Sequence, residues 1–221
     1  MTSEESRGST DRKPKPASRT LWIIGLAVAI IGGSIWVWED VLEDRLIPKR
    51  WGVVEAGAIY RSGQLSPTLI ERTLQEHGIQ LVVTLCPDEA GNKAHDAERQ
   101  AVLDLGIDRD VYPLIGDGTG DIANYAKAIA AMVKAKRQGK PVLLHCAAGA
   151  YRTGGVVAAY RMLVEGAPPA DAWAEMRRYD WDRDNPILPD YLNEHMAELA
   201  EQLVVLGVIE KVPDPLPVLS P

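Results

Sequence analysis

The chain has 221 residues, 46% of them hydrophobic and 25% charged, with 24 Lys and Arg against 31 Asp and Glu for a net charge of −7. That composition can bury a full core, and it excludes collagenous, wholly disordered and disulfide-stapled proteins. An acidic chain repels a polyphosphate backbone, so no nucleic acid partner is expected. The two cysteines, Cys86 and Cys146, show no CxxC spacing, and neither a metal nor another cofactor is expected.

Residues 1–19 carry Arg7, Arg12, Lys13, Lys15 and Arg19 against Glu4, Glu5 and Asp11, a basic tail rich in Ser and Pro. Leu21 to Trp38 (LWIIGLAVAIIGGSIWVW) then runs 18 residues without a charge, the lower edge of what spans a bilayer as a helix. Trp22 at one end and Trp36 and Trp38 at the other suit the two interfaces. A buried core helix is the alternative, but such a helix has a polar stripe and this segment has none. The apolar run continues into Ile35, Trp36 and Val37 with no small-x-small cleavage site, which fits an uncleaved signal anchor over residues 20–38. The lipid bilayer is therefore an expected partner through residues 21–38. The basic tail would hold the N-terminus in the cytoplasm and leave the rest of a single-pass protein extracytoplasmic. Arg45, Lys49 and Arg50 soon after the span keep a cytoplasm-facing alternative open.

EDVLEDRLIPKR, residues 39–50, reads as a charged juxtamembrane connector. Gly52 to Gly63 (GVVEAGAIYRSG) suggests an opening hairpin or edge strand. Ser66-Pro67 predicts a helix start, with its stop at Gly78. Ile79 to Cys86 (IQLVVTLC) predicts a strand covered on both faces. A helix over Ala94 to Leu105 and a strand near Ile107 to Tyr112 follow, then the loop IGDGTGD. Asp121 can cap a helix running to about Gln138. Pro141 to His145 (PVLLH) predicts another buried strand, with a helix after the next loop. Helices over Ala170 to Tyr179 and Pro189 to Leu206 precede a proline-rich tail at residues 212–221. The alternation implies an α/β fold, a mainly parallel central sheet flanked by helices, with its site at the carboxyl ends of the strands.

His145 to Gly154 reads HCAAGAYRTG, at the end of a predicted strand and the start of a predicted helix. A cysteine there has its thiolate stabilised by the helix dipole and by inward-pointing backbone N–H groups. Gly149 permits a tight curl. Five residues separate Cys146 from Arg152, enough to wrap a tetrahedral oxyanion while the guanidinium grips two of its oxygens. A buried structural thiol would need neither Arg152 nor Gly149 at those offsets. A zinc reading of His145-Cys146 lacks support, since His77, His95 and His195 show no ligand spacing.

HC-x5-R-[ST] resembles the signature of the cysteine-dependent protein tyrosine and dual-specificity phosphatases. YRSGQLS, TLCPDE, AAYRMLVEG and AWAEMRRY are similar to compact bacterial members of the dual-specificity group, so the resemblance covers Trp51 to Leu206, and a phosphatase domain is expected over residues 51–211. It implies that Cys146 attacks phosphorus to form a phosphocysteine. Arg152 and the loop Ala147, Ala148, Gly149, Ala150 and Tyr151 would bind the phosphoryl oxygens. It also implies that Thr153 hydrogen-bonds the sulfur, and that His145 organises the loop from behind.

The family protonates the leaving group with an aspartic acid on a separate loop, for which Asp117 and Asp121 are both candidates. Asp117 is preferred for its place in YPLIGDG, since Asp121 also reads as a helix cap. In some members a cysteine placed like Cys86 forms a reversible disulfide with the nucleophile; a small buried apolar residue is the favoured reading. The neutral stretch Ala-Ala-Gly-Ala-Tyr favours a phosphorylated protein or small phosphomonoester over an inositol phosphate or phosphoinositide. A catalytically silent phosphate-binding module and a rhodanese-type sulfur transferase are the alternatives; the RTG ending and the Asp loop argue against the latter.

Overall fold

The computed structural model describes residues 22–28, 30, 32, 47–182 and 184–221. The chain divides into two units, Met1–Glu43 and Asp44–Pro221. In the first unit the described residues are helical, and Trp22, Ile23, Ile24, Leu26, Val28 and Ile30 are exposed. The rest of the expected anchor (residues 20, 21, 29, 31 and 33–38), the basic tail and residues 39–46 of the connector lie outside the described residues. Among the described residues no helix is long and apolar enough to cross a membrane.

The second unit is built on a sheet of five short strands, β1 (Gly52–Glu55), β2 (Ile59–Ser62), β3 (Leu81–Thr84), β4 (Asp108–Val111) and β5 (Val142–His145), in the order β1-β2-β5-β3-β4. β1 and β2 form the antiparallel hairpin expected from GVVEAGAIYRSG, turning through Gly57 at φ 72°. β2, β5, β3 and β4 are mutually parallel, and Ser62 and Thr84 both pair in register with His145. All the parallel strands thus end at one edge, and the loops that follow them meet there.

Helices α1 (Ile70–Glu76), α2 (Lys93–Leu105), α3 (Ile122–Arg137), α4 (Tyr151–Leu163), α5 (Pro169–Arg178) and α6 (Ile187–Val205) cover both faces. Successive side chains of a strand point to opposite faces. Val82 and Leu143 accordingly pack with Ile70, Leu74, Ala101 and Val102 of α1 and α2. Their neighbours Leu81, Val83, Val142 and Leu144 pack with α3 to α6. Burial on both sides explains why β3 and β5 read as unbroken apolar runs.

The start of the first helix departs from expectation, while the next two agree with it. The Ser66 hydroxyl meets the Thr68 hydroxyl instead of capping, a turn intervenes, and α1 begins at Ile70 without a side-chain cap. Asn92 caps α2, its side chain accepting from the Ala94 and His95 amides. Asp121 caps α3, accepting from the Ala123 amide at 2.9 Å. The terminal residues 212–221 form neither helix nor strand. Leu219 is buried and exchanges two hydrogen bonds with Asn193 of α6, its N–H donating to Oδ1 at 2.7 Å and its carbonyl accepting from Nδ2 at 3.1 Å.

Candidate active site

Cys146 follows β5 directly, and its side chain is buried at the base of the loop that leads into α4. The Gly149 N–H donates to Cys146 Sγ at 3.2 Å. Three consecutive carbonyls of this loop are tied down from outside it. Ala147 O accepts from the Gln64 N–H at 3.1 Å, Ala148 O from Arg50 Nη1 at 2.8 Å, and Gly149 O from Arg61 Nη2 at 2.8 Å. In a planar trans peptide the C=O and the following N–H point opposite ways. Fixing the three carbonyls outward therefore turns the N–H groups of Ala148, Gly149 and Ala150 inward. No side chain caps α4, so its first amides stay open toward the loop. The result is an amide-lined anion cradle with a sulfur at its floor.

Gly149 is required at its position. Its φ is +79°, and a Cβ there would lie 2.5 Å from Gly63 N and 2.8 Å from Ser62 C. Both are backbone atoms at the end of β2 and just beyond it, so neither can give way.

Arg61, fully buried in β2, stacks its guanidinium 3.8 Å from the Tyr179 ring centre and sets Nη1 3.7 Å from Glu175 Oε1. Burial lowers the Arg61 pKa to about 10 against the opposing influence of Glu175, Tyr179 and Cys146, so it remains a cation at neutral pH beneath the cradle.

Arg152 lies in the first turn of α4. Its Nη1 donates to Leu85 O at 3.4 Å, and its Nε has no hydrogen-bond partner among the described residues. Cys86, one residue beyond Leu85, is buried, and both cysteines are free thiols. Burial pushes the Cys86 thiol up; nearby Arg152 opposes this, Cys146 adds to it, and the Ala147 amide, which hydrogen-bonds it, pulls it down. Cys86 thus sits within electrostatic reach of the nucleophile candidate. Thr153 is buried, and its Oγ1 has no hydrogen-bond partner among the described residues.

Behind the cradle, His145 Nε2 lies 2.9 Å from Glu98 Oε2, both side chains being almost wholly buried. Glu98 also accepts from Gln64 Nε2 and from Arg109 Nε, each at 2.9 Å. Burial would raise the Glu98 pKa, but His145, Gln64 and Arg109 overcome it and hold it at about 2. Glu98 therefore joins α2, β4, the segment after β2 and the residue preceding Cys146.

Asp117 is half-buried on the loop after β4, its Oδ1 accepting from Thr119 N–H at 2.9 Å and Thr119 Oγ1 at 2.8 Å. The Tyr125 hydroxyl donates to Gly118 O on this loop, and a Cβ on Gly155 of α4 would lie 2.5 Å from that hydroxyl. Tyr125 is pushed well above its ordinary pKa by burial, then by Tyr191, Cys146 and Asp117. It therefore stays a neutral donor between the Asp117 loop and the Cys146 side of the molecule.

The structure brings together Cys146, the loop Ala147 to Tyr151, Arg152, Thr153, His145 and Cys86 around one cradle, and it gives Asp121 the work of a cap. Sequence reasoning missed Arg50 and Glu98, and did not see that Arg61 and Gln64 of YRSGQLS face the cradle. Among the described residues no group of three or more His, Cys, Asp or Glu is placed to hold a metal.

A thiol at the floor of an amide cradle, with an arginine in the first turn of the helix that follows and a mainly parallel sheet behind, defines the cysteine-dependent phosphatase class. The family model "Polymorphic toxin system, DSP-PTPase phosphatase" matches residues 57–167, and the chain belongs to that family. It is 43% identical over 51 residues to the dual specificity protein phosphatase OPG106 of vaccinia virus, 23% of this chain and 30% of the viral protein, so the match spans under a third of that relative. The fold is shared with P. aeruginosa TpbA at a TM-score of 0.57, with 22% identity over 72% of this chain and 91% of that one. It is shared also with the core catalytic domain of the S. cerevisiae PP-IP phosphatase SIW14, at a TM-score of 0.61 and 17% identity over 78% of this chain and 98% of that one.

Proposed function

We propose that this protein is a membrane-anchored phosphatase that hydrolyses phosphotyrosine or a similar phosphate monoester through a phosphocysteine intermediate. The observation that carries the reading is the set of outward-tied carbonyls at Ala147, Ala148 and Gly149, which aims three amides at the space above Cys146 Sγ. In the first step the thiolate attacks phosphorus, the ester P–O bond breaks, and the Asp117 carboxylic acid gives its proton to the leaving oxygen. The cradle amides and Arg152 hold the equatorial phosphoryl oxygens as charge shifts among them. In the second step water attacks the phosphocysteine, Asp117 takes the water's proton, the S–P bond breaks, and Thr153 donates a hydrogen bond to the departing sulfur. The uncharged Ala147–Tyr151 stretch supplies no side-chain cation to a polyphosphorylated ring, which favours simple monoesters.

The full chain in detergent should hydrolyse an aryl phosphate in the presence of EDTA, and Cys146→Ser should lose turnover while still binding tungstate. Turnover surviving in Cys146→Ser would sink the mechanism. Tungstate binding by a wild-type chain that hydrolyses nothing would select the silent phosphate-binding module instead.

The anchor belongs to the same proposal. The uncharged residues 21–38 with their terminal tryptophans would cross the bilayer once, the basic tail inside and the phosphatase domain outside. Protease added to intact cells should then degrade the domain; a protected domain in a carbonate-resistant membrane fraction would reverse the orientation, and release by carbonate would remove the anchor.

A further inference from the structure

Two non-glycine residues of the described chain have backbone in the left-handed region, Arg50 at φ 45° and Asp180 at φ 59°, and they are bonded to each other. Arg50 Nε donates to Asp180 Oδ2 at 2.9 Å, while its Nη1 donates to Ala148 O at 2.8 Å. That backbone costs Arg50 about 1–2 kcal/mol, whereas aspartate tolerates it and Asp180 closes α5 in a Schellman turn, its N–H donating to Arg177 O and the Trp181 N–H to Met176 O, both at 3.2 Å. An exposed ion pair alone returns less than that, and Asp180 is largely exposed. The two residues come from segments 130 positions apart, the connector before β1 and the end of α5; Arg50 alone reaches the cradle, at Ala148 O, and Asp180 holds the Arg50 guanidinium. The connector is also held at the cradle by its backbone, because the Gly63 N–H donates to Lys49 O at 2.7 Å. Gly63 is the residue whose bare α-carbon abuts the Ala147 and Ala148 carbonyls.

The carbonyl that Arg50 grips belongs to the peptide whose N–H, that of Gly149, reaches Cys146 Sγ at 3.2 Å. Of the three outward ties, the Gln64 tie is backbone to backbone and the Arg61 tie is fully buried. The Arg50 tie comes from a partly exposed side chain on the segment leading in from the N-terminus.

We propose that Arg50, steered by Asp180, is a positioning residue for the phosphate cradle. Its guanidinium holds the Ala148–Gly149 peptide in the orientation that gives the sulfur and an incoming oxyanion their amide donor. The inference rests on the phosphatase reading for its biological meaning, but its test does not need turnover.

The full chain is compared with Arg50→Gly, Arg50→Lys and Asp180→Asn. The readouts are the rate at which iodoacetamide alkylates Cys146 at pH 7, followed on the Cys146 peptide by mass spectrometry, and the tungstate concentration that protects it. Glycine accepts φ 45° without strain, so Arg50→Gly removes the guanidinium while easing the backbone, and its melting temperature should hold or rise. Losing one charge-assisted hydrogen bond from the cradle should weaken tungstate protection about tenfold and slow alkylation by a similar factor. Arg50→Lys, which keeps the charge, should recover part of both, and Asp180→Asn, which also tolerates the left-handed backbone, should move both the same way by about threefold.

Wild-type alkylation and protection in Arg50→Gly would overturn the proposal, as would loss of both readouts only in proportion to a fall in melting temperature. If Arg50→Gly fails to fold, Arg50→Lys decides: weakened protection at an unchanged melting temperature supports the proposal, and unchanged protection overturns it. A wild-type chain that binds tungstate yet hydrolyses no aryl phosphate defeats the phosphatase reading while leaving this one standing.

Discussion

Glu98→Gln replaces the acceptor on which three donors converge. Arg109 Nε, Gln64 Nε2 and His145 Nε2 all approach this one carboxylate at 2.9 Å, and only 1% of its side chain is exposed. An amide of the same shape can keep one oxygen toward these donors but must turn an NH₂ toward another, leaving donors opposed and the Arg109 cation without its buried counter-charge. The folded chain holds the Glu98 pKa at about 2 against an ordinary 4.5, so its ionised form adds about 3 kcal/mol to stability. A depressed carboxyl contributes fully above its unfolded pKa and loses that contribution as pH falls toward the folded one. Wild type should therefore lose about 3 kcal/mol between pH 5 and pH 2 from this group alone. Glu98→Gln should start that much lower at pH 7 and show a correspondingly flatter decline. Urea unfolding at pH 7 and along a descending pH series measures both quantities. A loss under about 1 kcal/mol at pH 7, or an acid decline as steep as that of wild type, would refute the view that this carboxylate is a buried ionic hub.

The two loop aspartates separate cleanly by isosteric change. Asp117→Asn should lower turnover about a hundredfold, with tungstate affinity within about threefold of wild type. Asp121→Asn should change neither, because asparagine caps a helix as well as aspartate does; the reverse pattern in steady-state kinetics would exchange their roles. Gly149→Ala places a methyl 2.5 Å from Gly63 N at φ +79°, so tungstate binding should vanish and the melting temperature should fall. Calorimetric titration that still detects the oxyanion would show that the cradle tolerates displacement.

The elements most legible in the sequence were those whose determinants are local. PVLLH, IQLVVTLC and the glycine-broken hairpin announce strands by composition, and HCAAGAYRTG compresses nucleophile, curl and clamp into ten residues. Ser66-Pro67 misled by three or four positions because a hydroxyl neighbour, Thr68, took the Ser66 side chain that would have capped the helix. The supports of the cradle could not be read at all. Arg50 and Arg61 reach it across 98 and 88 positions of sequence, and Glu98 meets His145 only because α2 folds back behind β5. An arginine at a strand end gives no local sign that it will grip a distant carbonyl, and one glutamate on an amphipathic helix looks like another solvated charge.

The two outer strands bear on how the protein behaves when concentrated. A bare strand edge invites a neighbouring molecule to add to the sheet, the route by which many β-containing proteins aggregate. Here β4 reads Asp-Arg-Asp-Val, with Asp108 held by Lys140 and Arg109 by Glu98. On the opposite side the register of β1 breaks between Val53 and Glu55, and Glu55 is paired with Lys136. A second molecule docking on either flank would have to strip charges from their partners or follow a broken ladder. Neither edge is a ready template for a second molecule, so crowding the domain should not seed fibrils from the native sheet.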